Sequence, residues 1–184
     1  MSDGPTILVE LLEELAPGDL NDLCDAAEAA ILDGGGFGWL TPPPRQTLEA
    51  YWKGVMLIPE RELFVARLDG VICGSCQIHR PPKNNEAQGF ACQLTTNFMA
   101  PWARGHGLAR KLLEIAEGFA RQQEFRVLNL DVRATQVRAI HLYEAMNYQR
   151  FGEHPHYAYA QGRYITGYFY YKELQPPKDR EDEG

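Results

Sequence analysis

The 184-residue chain has no apolar run near the roughly 20 residues that a membrane-spanning helix needs. Its start, MSDGPT, has no basic segment followed by an apolar one, so no secretory signal is expected. These absences predict a cytoplasmic protein with no membrane partner. Basic residues are in deficit: 18 Lys and Arg stand against 25 Asp and Glu, a formal net charge of −7. Non-specific nucleic-acid binding needs a basic surface that displaces counterions, so no nucleic-acid partner is expected. A cationic amine substrate is compatible with this balance.

Cysteine is scarce too, with four in all: Cys24, Cys73, Cys76 and Cys92. Cys73–Gly74–Ser75–Cys76 has the spacing of a redox or metal pair, but no second such pair completes a zinc site. Asp69–Gly70 is a hairpin-turn dipeptide between LFVAR and VICGSCQIH, which puts both cysteines in a strand. Positions three apart in a regular strand face opposite ways, so the pair reads as two reduced, structural thiols. His154–Pro155–His156 alone is too little for a metal site, and no metal is expected. The three glycines at 34–36 lack the Lys–Ser/Thr of a phosphate loop and run toward Pro42–Pro43–Pro44. The segment 34–44 reads as a mobile connector, of a kind that often borders binding sites.

What is present fits a folded globular chain, with 45% hydrophobic and 23% charged residues. Thr6–Leu15 is ambiguous between strand and helix. Asp19 is placed to cap a helix over 20–32, and 47–54 reads as a second short helix. A hairpin surrounds Asp69–Gly70, a loop covers 80–89, and Phe90–Met99 reads as a strand ended by Pro101. Leu108 to about Gln123 is the strongest helix, with Leu108, Leu112, Ile115, Ala116 and Phe119 on one face. Strand 127–132, a helix over about 136–146 and strands near 149–152 and 164–174 follow. The mixture predicts one α/β or α+β domain over residues 1–174, then a polar tail at 175–184 of disordered composition.

One stretch stands out. Arg104, Gly105 and Gly107 sit where the strongest helix begins. A helix N-terminus presents unpaired N–H donors and the positive end of the dipole. Glycine lets a pyrophosphate come close to the backbone, so this is a phosphate-cradle candidate. A tight strand-to-helix turn is the alternative that spacing alone leaves open.

Arg104–Gly105–His106–Gly107–Leu108–Ala109 resembles the Gln/Arg-x-x-Gly-x-Gly/Ala signature of the GNAT superfamily of N-acetyltransferases. Met99–Ala100–Pro101 is similar to that family's Val-x-Pro. VLNLDVRATQVRAIHLYEAMNYQRFGE, residues 127–153, resembles its second signature, in which a strand leads to a helix carrying Ala-Ile-x-Leu-Tyr-Glu. The resemblance is strong over 90–153 and looser over 6–89. The run 152–174 is loosely similar to the C-terminal hairpin of small-molecule members such as the tabtoxin-resistance acetyltransferases.

The resemblance implies a mixed, mostly antiparallel sheet with splayed central strands, flanked by helices. It implies acetyl-CoA as co-substrate, with its pyrophosphate on the N–H groups of Arg104, Gly105, His106, Gly107, Leu108 and Ala109. The pantetheine would run beside Phe98 and Met99, with Gln136 touching it where the family often has Asn. Asn147–Tyr148 replaces the usual Gly-Phe, and Asn can adopt the left-handed turn that Gly serves there.

Acetyl transfer by direct attack through a tetrahedral intermediate needs a neutral amine, donors for the oxyanion and a proton for the leaving thiolate. Tyr143 matches the family's tyrosine beside the thioester sulfur, a phenol that stays protonated at neutral pH. The base is less plain. Gln93 falls near the position where some relatives carry glutamate, and an amide cannot take a proton. Thr95, Asn97 and Met99 share a strand face with it, a polar row suited to relaying water. Asp131 and Glu86 are the terminal acceptors, and the sequence does not choose between them.

The expectation is an acetyl-CoA-dependent N-acetyltransferase acting on a small-molecule amine. A protein N-terminus or lysine as acceptor, or a non-catalytic CoA-binding module, are the alternatives, and a homodimer stays open.

Overall fold

The computed structural model describes residues 4–174, so the tail expected at 175–184 lies outside the described residues. The chain begins with β1 (Ile7–Leu11), α1 (Asp19–Leu32), α2 (Arg45–Leu57), β2 (Arg61–Leu68) and β3 (Val71–His79). β4 (Ala91–Met99), α3 (Leu108–Gln122), β5 (Val127–Arg133) and α4 (Val137–Ala145) follow. A long hairpin of β6 (Gln149–Ala160) and β7 (Arg163–Glu173) completes the order. Of the ambiguous stretch 6–15, Ile7–Leu11 forms a strand, paired antiparallel with β2 along its whole length.

Seven strands form one sheet in the order β1-β2-β3-β4-β5-β7-β6, antiparallel except between β4 and β5. α3 and α4 bury their apolar residues on one side, and α1 and α2 on the other. α3 buries Leu108, Leu112, Leu113, Ala116 and Ala120, a stripe at 3–4 spacing. Ile115, expected on that stripe, is 40% exposed, so the face is rotated toward Leu113.

Two sequence expectations fail for local reasons. Asp19 does not cap α1: the cap position is Gly18, with φ 95. The Asp19 carboxylate instead pairs with Arg67 at 2.8 Å, under the sheet edge where β1, α1 and β2 meet. The second failure is Cys73 and Cys76. The register of β3 slips against both of its neighbours, so the two thiols enter the same core cluster rather than opposite ones. Both are unpaired and fully buried, and burial pushes the Cys73 thiol up to about 11 and Cys76 higher still. They are structural thiols, for a different reason than alternation.

The feature that positions the site is a split. β4 and β5 pair only through Ala91–Val127, Cys92–Leu128 and Gln93–Asn129. Beyond Gln93, β4 stays with β3 while β5 stays with β7. Beyond Gln93, one edge of β4 thereby has no strand partner among the described residues.

Candidate active site

At the far end of the split, Pro101–Ala103 form a single 3₁₀ turn and α3 starts at Leu108. Gly105 and Gly107 both have left-handed backbones, with φ 86 and 70. A side chain at either would be strained, and the space where it would stand is open. The first α3 bond is the Lys111 N–H to Gly107 O at 3.1 Å, so the N–H groups of Leu108, Ala109 and Arg110 precede the helical ladder. Open space in front of free donors suits a pyrophosphate. The Leu108 side chain itself is core, at 1% exposure. His106 turns inward, its Nδ1 at 3.1 Å from Ala103 O. Arg104 stands at the cradle with its guanidinium engaged by the Asp33 carboxylate.

A cavity of ≈ 840 Å³ opens beside the split. Tyr143, Asp131 and Gln136 all line it, brought together from α4, β5 and the α4 N-terminus. Glu86 does not. It sits exposed in a 3₁₀ turn over Glu86–Gln88, before β4 begins. Phe98 and Met99 continue β4 past the cavity, Phe98 packed on the α1–α2 side and Met99 against the α3 side.

β4 carries a second register slip that the sequence did not announce. Gln77 pairs with Thr95 and Ser75 with Phe98, leaving two β4 residues opposite one on β3. Thr96 takes φ 48, a left-handed backbone that a β-branched residue rarely adopts. The slip reverses the faces. Leu94 packs in the α3-side core, yet Phe98 packs on the α1–α2 side. Thr95, Asn97 and Met99 therefore do not form one row, as alternation had suggested. Thr95 Oγ1 is buried without a protein partner, while Asn97 points across the split.

There the Asn97 Nδ2 donates to the Tyr143 hydroxyl oxygen at 2.9 Å. With that oxygen accepting, the phenolic hydrogen is free to point into the cavity. Burial pushes the Tyr143 phenol up to about 12, against a smaller opposing effect of the Asn97 bond. It is a donor throughout the ordinary pH range.

On β5, Asp131 is held from both sides. Gln93 Nε2 donates to Oδ1 at 3.2 Å, and the Tyr157 hydroxyl donates to Oδ2. Burial, then the bond to Asp131, raises Tyr157 far above the usual phenol range. Gln93 thus orients a carboxylate instead of supplying one.

The segment between α1 and α2 is tethered rather than loose. Gln136 Nε2 donates to Gly34 O at 2.6 Å, and Arg133 Nη2 to Phe37 O at 2.9 Å. Gly36, with φ 83, lies where a Cβ would come within 2.5 Å of Phe98. The segment thereby roofs the split and turns Phe37 and Trp39 toward the cavity. The C-terminal tyrosines divide. Tyr148, Tyr170 and Tyr171 bond Glu117, Glu144 and Gln149 as packing residues. Tyr157 and Tyr159 line the cavity. The sequence pointed to 34–44 as a border of the site, where Phe37 and Trp39 stand, but missed Tyr51 as a wall residue.

Among the described residues, no group of three or more His, Cys, Asp or Glu is placed to hold a metal ion. Nor is any helix there long and apolar enough to cross a membrane.

The fold that frames this cavity is one that known proteins share. The family model described as "Acetyltransferase (GNAT) family" matches residues 22–148. The chain belongs to the GNAT family and is an N-acetyltransferase. It is 61% identical over 132 residues to an uncharacterized N-acetyltransferase from the hisH–hisA intergenic region of Azospirillum brasilense, covering 72% of this chain and 79% of that protein. Among solved structures, an N-acetyltransferase from Staphylococcus aureus Mu50 superposes with TM-score 0.78 at 18% identity, over 92% of this chain and 99% of that one. A phosphinothricin acetyltransferase from Sinorhizobium meliloti, solved with acetyl-CoA, gives TM-score 0.74 at 19% identity, over 96% and 94%. At such identities the structural matches establish the fold, a mixed and mostly antiparallel GNAT sheet.

Proposed function

We propose that this enzyme moves the acetyl group of acetyl-CoA onto a primary amine of a small molecule, with residues 1–174 acting as one catalytic domain. The observation that carries the reading is the meeting of the Tyr143 hydroxyl and the Asp131 carboxylate on one cavity at the β4–β5 split. Bound acetyl-CoA supplies an activated thioester. The N–H groups of Leu108–Arg110 and the open space at Gly105 and Gly107 suit its pyrophosphate, and the edge of β4 beyond Gln93 suits its pantetheine.

The chain's own groups supply the proton handling. Asp131, with both oxygens held, accepts the proton of the incoming ammonium and leaves the amine neutral. The neutral nitrogen adds to the thioester carbon, the tetrahedral adduct sheds its second nitrogen proton to water, and its collapse forms the amide as the carbon–sulfur bond breaks. Tyr143 donates its hydroxyl hydrogen to the leaving sulfur, and Asn97 holds the phenol in place for this. Of the two acceptors raised by the sequence, Asp131 is the one supported by position.

A small acceptor is favoured over a protein one because the cavity is walled from two directions. Phe37 and Trp39 come from the α1–α2 segment, and Tyr157 and Tyr159 from the β6–β7 hairpin. The name of the Sinorhizobium relative points the same way. The four unpaired, buried cysteines suit a reducing, cytoplasmic setting.

The test is to incubate the protein with ¹³C-acetyl-CoA, a panel of small amines and a panel of peptides with free N-termini and lysines. Labelled acetyl on a small amine, seen by mass spectrometry, supports the reading. Label only on peptides contradicts it.

A further inference from the structure

Gln77 is a glutamine with 0% exposure in the middle of β3, where the fold asks for an apolar residue. A buried amide is costly unless both its ends are bonded. Here they are. Arg61 Nη1 donates to Gln77 Oε1 at 3.4 Å, and a guanidinium can only donate, which fixes the amide's orientation. Gln77 Nε2 therefore donates to the Tyr51 hydroxyl oxygen, at 2.9 Å. The chain of bonds ends at the cavity, which Tyr51 lines from α2.

The order of donors has a consequence for Tyr51. Its oxygen is already an acceptor, so its hydrogen must point elsewhere. Among the described residues the partner on that side is Thr96 Oγ1 at 3.4 Å, a long contact on the left-handed residue of the β4 slip. A phenol prepared in this way offers a hydrogen to whatever occupies the cavity. Arg133 offers more: among the described residues one of its five N–H groups is engaged, by Phe37 O, and it lines the same cavity. Asp131 lies two residues before it on β5 and faces the same space. Aromatic rings close the wall between them, with Trp39 5.4 Å from Tyr51 and 5.9 Å from Phe37.

We infer that Tyr51, oriented by Gln77, is a specificity-determining residue, and that the acceptor is an amino acid: a primary amine that also bears a carboxylate, on an apolar or aromatic frame. The inference rests on the acetyl-transfer reading and deepens it. The ammonium end faces Asp131. The carboxylate takes the Tyr51 hydroxyl hydrogen and an Arg133 N–H. The side chain lies on Phe37 and Trp39. A site whose buried donors are matched to an oxygen rejects the analogue that lacks it, because the donors are then left unpaired.

Matched pairs test this directly: L-phenylalanine against 2-phenylethylamine, L-leucine against 3-methylbutylamine, and L-methionine against 3-(methylthio)propylamine. Each is assayed for CoA release with the parent and with Tyr51→Phe. The parent should favour the amino acid by at least about tenfold in kcat/KM in one pair or more. Tyr51→Phe should cut that preference by about tenfold, chiefly through KM. Equal loss on both members of a pair would reduce Tyr51 to a packing residue and overturn the inference. So would a parent that prefers the plain amines, although acetyl transfer would then stand. If the parent turns over neither, titration calorimetry of the same compounds into the CoA-bound protein decides. Amino-acid binding weakened by Tyr51→Phe keeps the inference and shows only that these side chains are not turned over, and no preference for the amino acid overturns it.

Discussion

The Asn97 amide donates to the Tyr143 hydroxyl oxygen at 2.9 Å, joining β4 to α4 across the split in the sheet. The bond exists only because the slip at Thr96 turns Asn97 toward α4. Asn97→Ala should lower kcat by about tenfold, the worth of one buried hydrogen bond to a reacting group. The effect should vanish in a Tyr143→Phe background, since the two side chains act as one unit. Steady-state kinetics of the two single variants and the double variant check this. Equal losses in both backgrounds would mean that Asn97 acts on something else.

Gly107 is the left-handed residue from which α3 departs. Gly107→Val adds a branched side chain to a backbone it disfavours, in the space assigned to the pyrophosphate. Acetyl-CoA affinity should fall at least tenfold, about 1.4 kcal/mol. Calorimetry on folded variant protein measures it, and unchanged affinity would remove the cradle assignment.

Asp131 as the base gives a signed pH dependence. An ordinary primary amine has a pKa near ~10, so about one molecule in a thousand is neutral at pH 7. With Asp131→Asn, kcat/KM at neutral pH should drop by about 10²-fold. The deficit should shrink as pH rises, because the amine then arrives already neutral. A loss below threefold at neutral pH would mean that water alone carries the proton.

Away from the site, the Asp19–Arg67 pair holds β1, α1 and β2 together, with side-chain exposures of 5% and 14%. The Arg67 hydrogen bond, ahead of the opposing effect of burial, holds the Asp19 carboxyl below its usual value of 3.8. A depressed acid stabilises the fold above its unfolded pKa and loses that contribution as pH falls through the folded one. Acid unfolding below about pH 4 should therefore include this pair. Arg67→Ala leaves a buried carboxylate unpaired and should cost about 3 kcal/mol at pH 7. The cost should shrink at low pH, where Asp19 is neutral in the variant. Urea melts at pH 7 and pH 4 measure both values, and an equal loss at both would contradict the account.

The parts of this molecule that were legible in sequence are those set by local pattern. α3 follows from its 3–4 spacing and Gly105–Gly107 from the turn they must make. Asn147, at φ 66, takes the left-handed turn expected of it. Tyr143 came from a motif with fixed spacing. The register slips in β3 and β4 were not legible, because alternation assumes a regular strand and Thr96 gives no sign of a left-handed backbone. Their loss misplaced Cys73 with Cys76 and Thr95 with Asn97. The wall of the cavity was hidden for another reason. Tyr51, Phe37 and Arg133 come from α2, the α1–α2 segment and β5, with Gln77 of β3 behind Tyr51, and only long-range pairing brings them together.

The most direct test of the account is the turnover of Tyr143→Phe, which keeps the ring and removes only the donor. With acetyl-CoA and an amine that the parent acetylates, kcat should fall by roughly 10²–10⁴ while acetyl-CoA affinity by calorimetry changes little. A kcat within twofold of the parent, in a variant that folds and binds acetyl-CoA, would contradict the role assigned to Tyr143.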